Sequence, residues 1–456
     1  MSGAAHEQWS SKWGFLLAAI GGAVGLGNIW RFPYITGEYG GGAFVLVYLI
    51  AVFLIAIPIL VGELALGKRG HKDIVSGTRN VAIEAGKSPR WALIGWLGLG
   101  ASFFVLTYYS VIAGQVLKYV TVTASGALDG LDAASVDTIY DGFVANPSSM
   151  FFWHSLIMVI TVSILSRGIT GGIEKAAKIM MPTFFVMLLG MFTYALFVGD
   201  TEQGWGYMFE VDFSKITPEV VLVAIGQAFF SIGIGFGYML AYGAYLPNSI
   251  NIPRTAVIIS LADAGVAIVA GMMIFPLVFA YGQSPAQGPD LIFRILPQVF
   301  SQMQAGAFIG TVFFVLLTFA ALSSCIAILQ PAISYLEESH DMGVKKASFI
   351  AGGAAWILGL TSIFSYNVWA GYYPLSMFET FKTSTVMGIV DYATANYMML
   401  VGGILIAVFA GWMFKPGWAE AEFEGIHPIV FKTWLWLSRV LAPVAVTVAL
   451  YSALSA

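Results

Sequence analysis

The sequence predicts an all-α, polytopic membrane protein with eleven transmembrane helices. Three observations carry that reading. Charged residues make up only 10% of the chain and apolar residues 58%, against about 25% charged in an ordinary soluble domain. Apolar stretches of about 20 residues or more, the length a bilayer demands, recur along the whole chain. Two of those stretches are interrupted by runs of glycine. A soluble chain of 456 residues would need a charged surface for which there are too few charges. A mean hydropathy of +0.82 excludes disorder, and a transmembrane barrel would show short alternating segments instead.

The expected spans are 12–36, 41–67, 91–123, 149–166, 172–198, 218–246, 253–282, 305–338, 344–366, 389–414 and 431–453. Together they form a single membrane domain over 1–456. A first repeat (12–198, spans one to five) and a second (218–414, spans six to ten) are followed by one extra helix at 431–453. Lys68, Arg69, Lys72, Arg79, Lys87 and Arg90 crowd one connection, and Arg167, Lys175 and Lys178 another. Arg254, Lys345, Lys346, Lys415 and Lys432 fall on the same side. The opposite connections carry Asp129, Asp132, Asp137 and Asp141, then Asp200, Glu202, Glu210 and Asp212. Basic connections stay inside, so the N-terminus is expected in the cytoplasm and the C-terminus outside a plasma (inner) membrane. A net charge of −4 suggests no nucleic-acid partner. The single cysteine, Cys325, forms no internal disulfide, and the five histidines have no ligand spacing.

The first span contains Gly21-Gly22-Ala23-Val24-Gly25-Leu26-Gly27-Asn28, and the sixth Ser231-Ile232-Gly233-Ile234-Gly235-Phe236-Gly237. Each glycine costs about 1 kcal/mol of helix propensity relative to alanine. Such runs either break a helix or pack small residues against a neighbour. Their matching places, five spans apart, favour paired breaks in an inverted-repeat transporter with a midplane site. A break frees carbonyls for a cation and amides for an anion.

The strings Ala23-Val24-Gly25-Leu26-Gly27-Asn28-Ile29-Trp30-Arg31-Phe32-Pro33 and Gly40-Gly41-Gly42-Ala43-Phe44, together with Tyr108-Tyr109, are long and specific. So are Gly226-Gln227-Ala228-Phe229-Phe230-Ser231 and Ala320-Ala321-Leu322-Ser323-Ser324-Cys325-Ile326-Ala327, with Gln330-Pro331. Through them nearly the whole chain resembles the neurotransmitter:sodium symporters, in particular the bacterial amino-acid branch. The resemblance implies coupled uptake of sodium and an amino acid by alternating access. Many members of the family have twelve spans. Here the chain ends after eleven, and the missing span lies outside both repeats.

By resemblance, one sodium ion is held by carbonyls of Gly21, Val24 and Ala320 and hydroxyls of Ser323 and Ser324. The alternative is that both serines bond back into their own helix. A second ion matches Ala23, Asn28, Ser231 and Asp263. Asp263 stands where asparagine is more usual, and a carboxylate inside an apolar span is functional by default. Chloride-dependent relatives have serine where Ala267 stands. Asp263 is therefore expected to replace chloride as counter-charge to two sodium ions, and no chloride is expected. The amino-acid site matches Ala23, Gly25, Leu26, Gly27, Val105, Tyr109, Phe230, Ser231, Gly233, Phe236, Ser324 and Ile328. Gly25, where monoamine carriers have aspartate, implies a substrate with its own acid group. Val105, Phe236 and Ile328 imply an apolar side chain, with Gly233 widening the pocket. Arg31 and Asp391 match an outer gate under which Tyr109 and Phe230 form a lid. Trp9, Tyr245, Gln330 and Glu338 match an inner gate. There His6 replaces a common arginine and is expected to make the gate pH-dependent, unless Lys12 serves instead. Glu63 matches an acid that braces the unwound segments. A small-molecule substrate and the lipid bilayer are the expected partners, with no obligate protein partner. The competing readings are a carrier of a β-amino or sulfonic acid and a non-transporting sensor. An enzyme finds no support, since no nucleophile–base pair or paired catalytic acids are evident.

Overall fold

A computed structural model describes residues 7–285, 288 and 290–455, all helical or irregular, with no strand among them. His6, and with it the pH-dependent inner gate, lies outside the described residues. Among the described residues nine helices are long and apolar enough to cross a bilayer. They are Gly42–Gly70, Pro89–Ala124, Pro147–Leu165, Ile169–Val198, Ile252–Ala280, Gly306–Ser339, Val344–Tyr366, Val386–Met413 and Pro428–Leu454. A tenth forms when Lys12–Ala23 and Gly27–Glu38, bent by 47° at their junction, count as one span. The remaining expected stretch, 218–246, is built from two short helices, Pro218–Ile232 and Tyr238–Ala244. Neither reaches bilayer length alone, so length and composition count ten spans where hydropathy of the unbroken stretch counts eleven.

Helix starts follow local capping chemistry. Asp73, Asp132, Asn146, Asp200, Thr217 and Asn251 each accept a first-turn N–H through the side chain, which satisfies donors that a helix start leaves open. Three short helices outside the spans, Ile74–Glu84, Ala133–Val144 and Thr201–Phe209, close over the ends of the bundle. The third span (Pro89–Ala124) and the eighth (Gly306–Ser339) pack most extensively on each other. In the eighth, 83% of the apolar window is buried within the protein, against 28% in the fifth and the eleventh. The third and eighth spans are therefore the inner wall, and the fifth and eleventh face lipid.

The two breaks lie against that wall. In the first span Val24 leaves helical geometry at ψ 102°. The Gly25 N–H then donates to Asn28 Oδ1 at 2.9 Å, and a widened turn runs over Gly27–Arg31. In the sixth span Gly233, Gly235 and Gly237 have φ of +76°, +79° and +74°. Only glycine enters that region without strain, so the unwinding is written into the sequence. Gly233, expected to widen the pocket, lies at the cavity wall against Tyr238. A Cβ there would lie 2.4 Å from the Tyr238 ring, and Tyr238 fills that space while donating its hydroxyl to Ile232 O at 2.7 Å. Glu63, fully buried, accepts from the Gly235 N–H at 3.4 Å and so ties the second span to the break.

Candidate functional site between two broken helices

Three spans meet at a buried polar node. Asn28 Nδ2 donates to Ser231 Oγ (3.0 Å), to Asp263 O (2.9 Å) and to Asp263 Oδ1 (2.7 Å). Ser231 Oγ donates to Asp263 Oδ2 at 2.7 Å. Asp263 has no exposed surface, and no ion pair reaches it among the described residues. Such a carboxylate is costly unless a cation joins it. Around it the hydroxyl of Tyr48 and Oε1 of Gln227 are buried without hydrogen-bond partners, while Gln227 Nε2 donates to Gly27 O at 2.9 Å. The node ties the first span, through the Asn28 amide nitrogen, to oxygens of Ser231 and Asp263 on the sixth and seventh spans, and oxygen is the ligand type that suits a hard cation. Ala23, the fourth residue expected there, is buried at the break itself.

The other expected cation set is also buried. Ser323 Oγ donates to Ala320 O at 2.9 Å. Ser324 Oγ donates to Ala320 O at 3.2 Å and across to Gly22 O at 3.3 Å. Both serines thus bond back into their own helix, and Ser324 also reaches the first span. Gly21 lies against Ser323, whose Cβ would be 3.3 Å from a Cβ on Gly21. Val24 is fully buried at the break.

Eleven of the twelve expected substrate residues line one cavity: Ala23, Gly25, Gly27, Val105, Tyr109, Phe230, Ser231, Gly233, Phe236, Ser324 and Ile328. Gly22 and Tyr238 complete the lining. Leu26 lines the adjoining vestibule instead. The cavity holds only about 30 Å³, room for a water molecule or two. An amino acid therefore enters only as the surrounding helices part. A Cβ at Gly25 would lie 2.5 Å from Ser324 Oγ and 2.8 Å from the Tyr109 hydroxyl, so a side chain there would displace both. The Leu26 N–H donates to that hydroxyl at 3.1 Å.

Above the cavity opens a vestibule of about 570 Å³, on the side of the acidic connections. Tyr109 and Phe230 line both spaces and form the partition between them. Arg31 and Asp391 both line the vestibule, but no ion pair joins them; the Arg31 guanidinium lies 4.3 Å from the centre of the Phe230 ring. Near the rim, Arg294 holds Asp141 at 2.6 Å and Asp290 at 3.1 Å.

The opposite end is closed. Trp9 is buried; its backbone N–H donates to Tyr245 O at 3.2 Å and its ring N–H to Tyr242 O at 3.0 Å. The Tyr245 hydroxyl donates to Glu338 Oε1 at 3.4 Å, and Glu338 Oε2 accepts from the Asp73 N–H at 2.6 Å. Gln330 is buried in the same helix as Glu338. Sequence reasoning missed Glu174. It accepts from Ser10 N (2.9 Å), Ser10 Oγ (2.5 Å) and Ser11 Oγ (3.1 Å), and pairs with Lys178 at 2.6 Å. Glu7 likewise accepts from the Ile169 and Thr170 N–H groups. The only signal for this clasp is an acid beside two glycines at the start of an apolar span.

Fold and site together define a polytopic helical membrane carrier with a central site between two broken helices. The family described as the sodium:neurotransmitter symporter family matches residues 6–130 and 144–455. YhdH of Bacillus subtilis, an uncharacterized sodium-dependent transporter, is 35% identical over 97% of this chain and 96% of its own. A sodium-dependent transporter of Haemophilus influenzae is 33% identical over 97% of each. The solved structure of MhsT in complex with L-phenylalanine superposes with a TM-score of 0.89 at 38% identity, covering 98% of this chain and 99% of that one. The chain belongs to the sodium:neurotransmitter symporter family. It is a multi-pass, sodium-dependent transporter of a small-molecule substrate, and its relatives are carriers rather than enzymes.

Proposed function

We propose that the protein is a symporter that couples sodium to uptake of an amino acid with a bulky apolar or aromatic side chain. The observation that carries this reading is the cavity itself. It lies between backbone freed at two helix breaks and is walled by Val105, Phe236 and Ile328. The substrate carboxylate binds at the N-terminal end of the Gly27–Glu38 half-helix beside Tyr109, where the helix dipole favours an anion. The ammonium binds near carbonyls of the sixth span and Ser324. L-Phenylalanine bound to MhsT supports this substrate class.

One sodium ion binds at Ala23, Asn28, Ser231 and Asp263. A second binds at Gly21, Val24, Ala320, Ser323 and Ser324 once the two serine hydroxyls turn from Ala320. Asp263 supplies the negative charge that chloride supplies elsewhere, so transport is chloride-independent. The lid of Tyr109 and Phe230 closes as Arg31 meets Asp391, and the base at Trp9, Tyr245, Gln330 and Glu338 then opens. The basic connections lie in the cytoplasm, with spans one to five and six to ten forming the two repeats.

The test is thermal stabilisation of purified protein by a panel of amino acids in sodium and in potassium. A ligand of the folded state raises its stability by mass action. Stabilisation by phenylalanine, leucine or a similar residue in sodium alone is expected. Equal stabilisation in both salts would overturn sodium coupling, and a response confined to taurine or β-alanine would overturn the substrate class.

A further inference from the structure

We propose that the tenth and eleventh spans, at the end of the bundle that carries the basic connections, form a binding site for one anionic glycerophospholipid. Arg439 and Lys432 would hold its headgroup between Trp412 and Trp436.

The depth follows from the packing. Phe409 stacks edge-on against Trp91 at 5.2 Å, next to Arg90 in the short turn that opens the third span. Gly411 and Trp412 therefore lie near the headgroup layer, where tryptophan concentrates. The tenth span ends at Met413, and its last carbonyls have no intrahelical donor; Pro416, five residues after Gly411, offers no N–H. Arg439 fills that gap. Its Nε donates to Gly411 O at 2.6 Å, and its guanidinium lies 4.9 Å from the Trp412 ring. Gly411 makes room for it, since a Cβ there would lie 3.0 Å from Arg439 Cγ.

This contact uses one nitrogen of the guanidinium and leaves the group without an acidic partner among the described residues. The acids of the intervening connection do not neutralise it. Glu420 accepts from the Gly417 N–H, Glu422 pairs with Lys68 at 2.8 Å, and no ion pair joins Glu424 to Arg439 or Lys432 among the described residues. Both cations are exposed on one stripe of the lipid-facing eleventh span, with Trp412 and Trp436 each 55% exposed. Beyond Arg439 the stripe continues as Val440, Val444 and Val448, all exposed, a track for an acyl chain. Two unneutralised cations flanked by interfacial tryptophans and followed by an apolar track match a phosphate headgroup with its tail.

The test is native mass spectrometry of detergent-purified protein titrated with phosphatidylglycerol or phosphatidylcholine. The expected result is tighter binding of phosphatidylglycerol, weakened about fivefold by Lys432→Gln and by Arg439→Gln, with phosphatidylcholine unaffected. The Lys432 side chain makes no hydrogen bond or ion pair among the described residues, so its variant keeps the test valid if Arg439→Gln destabilises the end of the tenth span. Equal binding of the two lipids, or variants that bind as wild type does, would overturn the proposal. So would displacement of the lipid by glycerol 3-phosphate, which would indicate a free-phosphate site. A dimer abolished by both variants would overturn it by assigning the face to a second copy of the chain.

Discussion

The two ends of the pathway are shut by different chemistry. At the vestibule end the barrier is the partition of Tyr109 and Phe230, with Arg31 and Asp391 present but not ion-paired with each other. At the other end Trp9 is buried and hydrogen-bonded twice, and Glu338, Asp73, Glu174 and Glu7 each accept bonds from a different segment. Burying an indole contributes about 3–5 kcal/mol, whereas a solvent-exposed ion pair contributes about 0–1 kcal/mol. The thin end therefore closes readily, while the thick end opens only when something stabilises the rearranged state. Under the proposed function, ligands joining the node at Asn28, Ser231 and Asp263 would do so, because that node spans both broken helices.

The largest expected effect comes from thinning the thick end. Trp9→Ala should shift the protein towards a base-open state by about 3 kcal/mol or more. Hydrogen exchange of the amides over 9–14 should accelerate at least tenfold; unchanged exchange would show that the indole does not hold the base. Next comes the node. Asp263→Asn removes the acceptor from one hydrogen bond of the node and the negative charge from the other, each change worth about 1.5–3 kcal/mol. Sodium-dependent substrate binding should weaken about tenfold or more and become chloride-dependent, as titrations with and without chloride would reveal. Glu174→Gln loses the Lys178 pair and weakens the bonds from Ser10 and Ser11. An effect of about 1–2 kcal/mol should appear as faster exchange at 7–14, while the vestibule side stays as protected as before. The smallest effect on stability belongs to the thin end. Asp391→Asn should change the melting temperature by less than about 1 °C, because no ion pair of Asp391 is lost in this state. It should still slow uptake, because closure lacks its charge pair. A large loss of stability would show that Arg31 and Asp391 already interact.

Much of the fold was legible in the sequence because hydropathy reports lipid exposure directly. The glycines at 233, 235 and 237 announced the second break because no other residue takes those dihedral angles without strain. Span boundaries blurred where helices run past the bilayer, as at Pro89–Ala124. The short helices Ile74–Glu84 and Ala133–Val144 escaped notice because their amphipathic faces are too brief for an apolar window. Eleven of the expected site residues line one cavity, yet motif matching could not report its collapsed volume, nor the use of Gly233 for backbone geometry. The clasp of Glu174 on Ser10 and Ser11 joins residues more than 160 positions apart. The acid beside two glycines marks one segment, but nothing local names its partner.

The most direct measurement is uptake of a radiolabelled apolar amino acid into proteoliposomes under an inward sodium gradient, compared with an equal potassium gradient. Accumulation above the external concentration under sodium alone, lost in Asp263→Ala, is the expected result. Accumulation under either gradient, or undiminished in that variant, would contradict sodium coupling through the node between the broken helices.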